Sequence, residues 1–167
     1  AAVTPIVADN PSEVGADRIA NSVAAAAFHG APAIVVDFGT ATNIDVVNAD
    51  GAYIGGAIAP GLRISMDALT ARAARLASVP LEAPAHAIGR NTVEAVQNGL
   101  VVGTAAMAEG LVARIKAELG APDATVIATG GLAGIVAECT DLFDAIDGQL
   151  TLRGIREIHR RLHAGEL

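Results

Sequence analysis

Ala33-Ile-Val-Val-Asp37-Phe-Gly-Thr-Ala-Thr42-Asn-Ile-Asp45-Val-Val-Asn48-Ala-Asp-Gly51-Ala-Tyr-Ile-Gly-Gly-Ala-Ile58 is the stretch on which the fold turns. Ala33 to Phe38 is a continuous apolar run closing on an acid, as a strand covered on both faces would be. Gly39 to Ala41 turns the chain, and Thr42 to Asn48 returns with β-branched residues. Ala49-Asp50-Gly51 turns it again, and Ala52 to Ile58 completes an antiparallel meander.

Upstream, Val3 to Ala8 reads as a short extended segment. Asn10 as N-cap, Pro11 at the first helical position and Glu13 in the first turn predict a helix running to about Phe28. Downstream, Pro60-Gly61 opens a helix to about Ala77, and Val79 to Leu81 is a short extended piece. Asn91 or Thr92 caps a long helical stretch to Leu119, thinned by Gly99, Gly103 and Gly110 for close packing. Ala124 to Ala128 reads as another buried strand, which Thr129-Gly130-Gly131 turns into a helix. A weak strand near Phe143 to Ile146 and a helix from Thr151 to His163 follow. An antiparallel meander followed by alternating helices and strands predicts an α/β chain of the ribonuclease-H-like kind, the unit used twice in the acetate and sugar kinase, Hsp70 and actin superfamily. Residues 1–167 read as a single such domain, with residues 1–30 as its leading strand and helix.

Composition narrows the function classes. Apolar residues make up 52% and charged ones 17% of 167 residues, which excludes a disordered chain. Aromatics are only 2%, so the core must rest on small and aliphatic side chains packed closely. The net charge of −7 and the lack of a basic cluster argue against nucleic acid. Arg63, Arg72 and Arg75, and likewise Arg153, Arg156, Arg160 and Arg161, read as solvated or subunit-facing helix surfaces. The single cysteine, Cys139, allows no internal disulfide and fits a reducing compartment, with a core position near a helix end. No apolar run reaches a membrane span and the first residues lack a basic region, so the expectation is a cytoplasmic protein.

Chemistry is concentrated at a few places. At Asp37-Phe-Gly39-Thr40-Ala-Thr42, Gly39 lets a phosphate approach the backbone and the hydroxyls of Thr40 and Thr42 can donate to its oxygens. Asp37 could hold a cation beside that phosphate; an ordinary hairpin with an acid at its mouth has the same sequence. Gly15-Ala16-Asp17-Arg18 offers Asp17 as a base and Arg18 as an anion clamp, or a plain surface pair, with Gly15 placed mid-helix. Gly89-Arg-Asn-Thr92 is explained by helix capping alone. Thr129-Gly130-Gly131 ends a buried strand, where open α/β sheets place ligands, and serves equally as a plain strand-to-helix turn.

These segments, with Asp9-Asn-Pro at the front, Gly55-Gly-Ala-Ile-Ala-Pro-Gly61, Gln97 and Gly99, and Leu150-Thr-Leu-Arg-Gly154, stand in an order that resembles type III pantothenate kinases over essentially the whole chain. The resemblance implies ATP-dependent phosphorylation of pantothenate to 4'-phosphopantothenate, the first step of coenzyme A synthesis. It implies Asp17 as the general base, with Gly15, Ala16, Asp17, Arg18 and Thr92 lining a pantothenate site across a homodimer interface. Gly39, Thr40 and Thr42 would meet ATP, Thr129, Gly130 and Gly131 its adenosine side, and Asp37 a monovalent cation, potassium or ammonium. Magnesium would accompany the ATP. Asn43 departs mildly from the family pattern. The family's Asp-x-Gly-Asn-Thr phosphate turn, carried by a preceding domain, does not occur here, so the chain is expected to be the second domain of a two-domain kinase and weak or inactive by itself. Two other readings compete. One is a non-catalytic dimerising or ligand-binding remnant lacking half of the ATP site. The other is a nuclease using Asp37 and Asp45 as metal-binding acids, which the acidity of the chain opposes.

Overall fold

A computed structural model describes residues 3–72, 76 and 78–163. Its spine is β1, Ala33–Phe38, whose valines and isoleucine are wholly buried because both faces of this strand are covered. It pairs antiparallel with β2, Ala41–Val47, which pairs antiparallel with β3, Tyr53–Pro60. On its other side β1 pairs in parallel with β4, Thr125–Thr129, and β4 with the two-residue β5, Ala145–Ile146. The order is β3-β2-β1-β4-β5, so the mixed α/β expectation and the meander hold.

Side-chain alternation divides the core between the two faces. Ile34, Val36 and Phe38 pack with Ile44, Val126 and Ala128 beneath Val101, Ala105, Ala108 and Val112. Phe38 meets the edge of Phe143 at 5.8 Å between centroids. Ala33, Val35, Val47 and Ile127 pack instead under Ala24, Ala25 and Leu150. Each such Val or Ile contributes about 1.5–3 kcal/mol by leaving water. The second face is covered by α1, Ala16–Phe28, and α6, Leu150–Leu162. These two helices touch closely because Gly154 has no side chain: a Cβ there would collide with the Ala20 carbonyl.

Several elements differ from the expectation. Residues 3–8 form no strand beyond a single parallel bridge from Ile6 to Tyr53. The first helix does not start at Asn10. Pro11–Glu13 is an isolated 3-10 turn, Val14 is extended, and α1 opens at Ala16 with Gly15 as its N-cap. Gly15 is therefore not mid-helix; it stands where small residues free of β-carbon crowding are favoured. The next helix, α2, is described over Leu62–Arg72; the expected continuation through Arg75 to Ala77 lies largely outside the described residues. Val79 to Leu81 is irregular, with the Pro80 carbonyl accepting from Gln97 Nε2 at 2.9 Å. The long helix divides into α3, Thr92–Gln97, a π-helical turn at Asn98–Val102 and α4, Gly103–Leu119. After β4 the helix α5 is short, Ala133–Ala137, and Cys139 follows it, packed against the core as expected.

Candidate functional site

The two glycine turns lie together at the carboxyl ends of parallel strands β1 and β4, where Asp37 and Thr129 are register partners. Gly130 has φ +92°, and a Cβ there would stand 2.5 Å from Asp37 Oδ1 and 2.6 Å from the Phe38 carbonyl carbon. Only glycine lets the second turn rest on the first. Gly61, at the end of β3, is pressed in the same way against the Gly39 and Thr40 carbonyls. Gly39 is half-buried, and Thr40 and Gly131 are exposed at this edge.

Asp37 is half-buried with one oxygen engaged: Asn21 Nδ2 donates to Oδ2 at 3.0 Å. Burial pushes the Asp37 carboxyl up, the Asn21 donation opposes this, and the charge of Asp17 adds to the rise. Asn21 in turn accepts from Thr151 Oγ1 at 2.7 Å.

Asp17 is exposed in the first turn of α1, a favourable place for an acid beside the helix dipole. Arg18 turns inward instead. Its Nε donates to Asp45 Oδ1 at 2.6 Å, and its guanidinium lies 5.5 Å from the centre of the Tyr53 ring. Asp45 is wholly buried on β2, and its Oδ2 has no hydrogen-bond partner among the described residues. Burial outweighs the pull of Arg18 and raises its carboxyl from 3.8 to about 6, with Asp17 and Asp37 adding to the rise. Asp17, Arg18, Asp37 and Asp45 thus form one electrostatic group.

Other expected residues are placed differently. Thr42 pairs with Phe38 in register and by alternation shares the face of Ile44, opposite to Asp37. It is 1% exposed and its Oγ1 is buried with no partner among the described residues, so its hydroxyl does not join the turn at the sheet edge. Thr129 is buried, and its hydroxyl donates to the Asp147 carbonyl at 2.7 Å. Burial pushes the Asp147 carboxyl up, but His29, the Gln149 amide and Arg153 together hold it below the ordinary range. Thr92 is exposed at the start of α3, where Asn91 is the cap: its Oδ1 accepts from the Glu94 amide at 3.0 Å while Glu94 Oε2 accepts from the Arg90 amide at 2.8 Å. The groove beside Thr92 is lined by Leu69, Gly89, Arg90 and Val96 and includes nothing from α1 or β1. Thr92 and Asp17 do not share that groove.

Sequence reasoning missed Asn21 and Thr151, and gave Asp45 only a nuclease role. One signal was present: Asn21 is the one amide among the small buried residues Ala20, Ser22, Val23, Ala24 and Ala25 of α1, and an amide there must find partners.

No helix among the described residues is long and apolar enough to cross a membrane, and no group of three or more acidic, His or Cys side chains among them could hold a metal. The donors at Asp37 do suit a weakly held monovalent ion. Its Oδ1 makes no hydrogen bond among the described residues, and it lies beside the Gly39 and Gly130 turns.

A model of the type III pantothenate kinase family matches residues 2–114. A type III pantothenate kinase of Thermomicrobium roseum is 55% identical over 159 residues, covering 95% of this chain and 61% of that protein. One of Frankia alni is 54% identical, covering 94% and 62%. The chain therefore spans about three fifths of the length of these curated relatives. Among solved structures, a Campylobacter jejuni protein assigned provisionally to a Baf family of transcriptional activators superposes with a TM-score of 0.64 at 23% identity, covering 92% of this chain and 67% of that one, a likeness of fold.

Proposed function

The chain belongs to the type III pantothenate kinase family, and from that premise we propose that it supplies the acceptor-side half of an enzyme that phosphorylates pantothenate with ATP, opening coenzyme A synthesis. The observation that carries this is the seating of Gly130 on Asp37 and Phe38, which gathers two side-chain-free turns and a cluster of charged groups at one edge of the sheet. The strand order, with an antiparallel meander on one side of β1 and parallel neighbours on the other, supports a ribonuclease-H-like domain of the acetate and sugar kinase, Hsp70 and actin superfamily. We read it as the second domain of a two-domain cytoplasmic kinase acting as a homodimer. That Asp17 does not share the groove beside Thr92 favours a pantothenate site completed by a second copy.

In this reading the exposed carboxylate of Asp17 takes the proton from the pantothenate hydroxyl as that oxygen attacks the γ-phosphorus, and the bond to the β–γ bridging oxygen breaks so that ADP leaves with that oxygen. Gly15, Ala16 and the free guanidinium nitrogens of Arg18 bind the acceptor, with Arg18 aimed by Asp45. The exposed Thr40 hydroxyl and the Gly39 backbone meet the phosphates, and the turn at Thr129, Gly130 and Gly131 takes the adenosine side. Thr42 contributes through β2's shape, since its hydroxyl is buried on the other face. A monovalent cation held by Asp37 Oδ1 would neutralise phosphate charge; magnesium would arrive on the ATP. Phosphoryl transfer runs through a loose, charge-rich transition state, so positioning and electrostatics supply most of the rate.

The test is ATP-dependent phosphorylation of pantothenate, with and without potassium, by this chain and by a chain of the relatives' length. The longer chain should turn over and this one only weakly. In the longer chain Asp17→Ala should lower kcat by about 10²–10⁴-fold, the usual worth of a general base, with stability changed by no more than about 1 kcal/mol because Asp17 is exposed and contributes only a helix-terminal charge. Normal turnover in that variant would remove the base assignment.

A further inference from the structure

Thr151, Asn21 and Asp37 form a directed chain of hydrogen bonds across α6, α1 and β1. The Thr151 hydroxyl donates to Asn21 Oδ1 at 2.7 Å, and Asn21 Nδ2 donates to Asp37 Oδ2 at 3.0 Å. Asn21 is 1% exposed, so its amide has no water with which to exchange partners. The two ends of an amide are chemically different. An ionised carboxylate only accepts, so Asp37 requires the NH2 end, and the oxygen end must then find a donor on the far side. The Thr151 hydroxyl is that donor. Reversed, the amide would set its oxygen against the carboxylate, two acceptors with no proton between them, which is unfavourable.

The consequence reaches the sheet edge. With Oδ2 held by Asn21, the other oxygen, Oδ1, is directed at the glycine turns: it lies 2.5 Å from where a Cβ on Gly130 would stand and 3.5 Å from one on Gly39. Two features tie the far end down. Gly154 lets α6 lie directly on the Ala20 backbone, one residue before Asn21. Leu150, next to Thr151, is wholly buried against the sheet.

We propose that Asn21 and Thr151 are positioning residues that present Asp37 Oδ1 to a monovalent cation, so that the packing of α6 sets cation affinity. This rests on the reading of Asp37 as the cation ligand. It does not require catalysis to be tested.

Thermal unfolding of this chain is followed in potassium chloride and in tetramethylammonium chloride at equal ionic strength, with thallium(I) binding by thallium NMR as the direct readout. Wild type should unfold at a higher temperature in potassium and should bind thallium(I). Thr151→Val keeps the shape and removes the donor; it should weaken thallium(I) binding by about tenfold and abolish the potassium-specific rise. Thr151→Ser restores a hydroxyl and should recover both. A T151V protein that is less stable by the same amount in both salts, and binds thallium(I) as wild type does, shows a merely structural contact and overturns the inference while leaving Asp37 as cation ligand. A wild-type chain blind to potassium and thallium(I) overturns the inference together with the Asp37 assignment. If T151V does not fold, T151S must bind as wild type does and Asn21→Asp, which sets a second carboxylate against Asp37, must alter thallium(I) binding; the same affinity in N21D and wild type rejects the inference.

Discussion

Arg18 and Asp45 show how a buried ion pair can serve geometry at a cost to stability. The pair is single-pronged, its carboxylate is buried, and among the described residues Asp45 Oδ2 has no donor, conditions under which desolvation exceeds Coulomb attraction. Its carboxyl is raised from 3.8 to about 6. Between those values the folded chain keeps a proton that the unfolded chain has lost, so this group makes folding less favourable as pH rises through the window. Asp45→Asn should remove that component. Urea unfolding at pH 4 and at pH 7 should show the D45N protein gaining on wild type as pH rises; an unchanged gap would mean that the pair is better solvated than its burial implies. At this scale the sequence was a fair guide to exposed, turn-forming residues and a poor one to buried polar ones. Thr40 and Gly39 stand at the edge as expected, because a hairpin turn is a local property. Thr42 lies on the face opposite Asp37 because strand parity, one residue either way, decides which face a side chain takes. Asn21, Thr151 and Asp45 depend on partners 16 to 130 residues away in the chain, and no local pattern records those.

Among the elements, α1 and α6 carry the clearest demand on a single position. A Cβ at Gly154 would collide with the Ala20 carbonyl, whereas one at Gly110, in the exposed part of α4, would meet nothing within 4 Å. Both are helix-interior glycines, so propensity alone predicts the same gain from alanine at each, about 1 kcal/mol. The surroundings separate them. Gly110→Ala should stabilise by about that amount, and Gly154→Ala should destabilise by about 1–3 kcal/mol through overpacking. Denaturant midpoints of the two variants should therefore move in opposite directions; a stabilised G154A would refute the close packing of α1 on α6. The strands were legible within a residue or two because their apolar runs are bounded by Gly and Asp turns. The helix starts were less so. Asn10-Pro11 has every local mark of a helix start, yet it makes only a 3-10 turn, and the chain straightens at Val14 before Gly15 caps α1. The π turn at Asn98–Val102 likewise has no signature in a sequence of Gly and Val that suits an α-helix equally well.

For the whole molecule, the net charge of −7 and the occupation of its acids decide against the nuclease reading. Asp45 is wholly buried and held by Arg18, so it does not stand beside Asp37 as a second open carboxylate for a pair of metal ions. An RNA–DNA hybrid incubated with the chain and magnesium or manganese should remain intact; metal-dependent cleavage would restore that reading. Fold class was readable from the meander, since its strands are sequential neighbours. The placement of β4 and β5 beside β1 was not, because that pairing joins Ala33 to Thr125 across most of the chain. This central position of β1 governs how the protein must come into being. As the polypeptide leaves the ribosome, β1 gains β2 within a few residues, but its other edge stays unpaired until β4 has been made. The helix α1, which packs on α6, waits longer still. Chain closure of this length is slow and its reward comes late. The segment from β1 to α4 therefore carries an open strand edge and a half-covered apolar sheet until β4 and α6 have been made, and its safe passage depends on how quickly those elements follow.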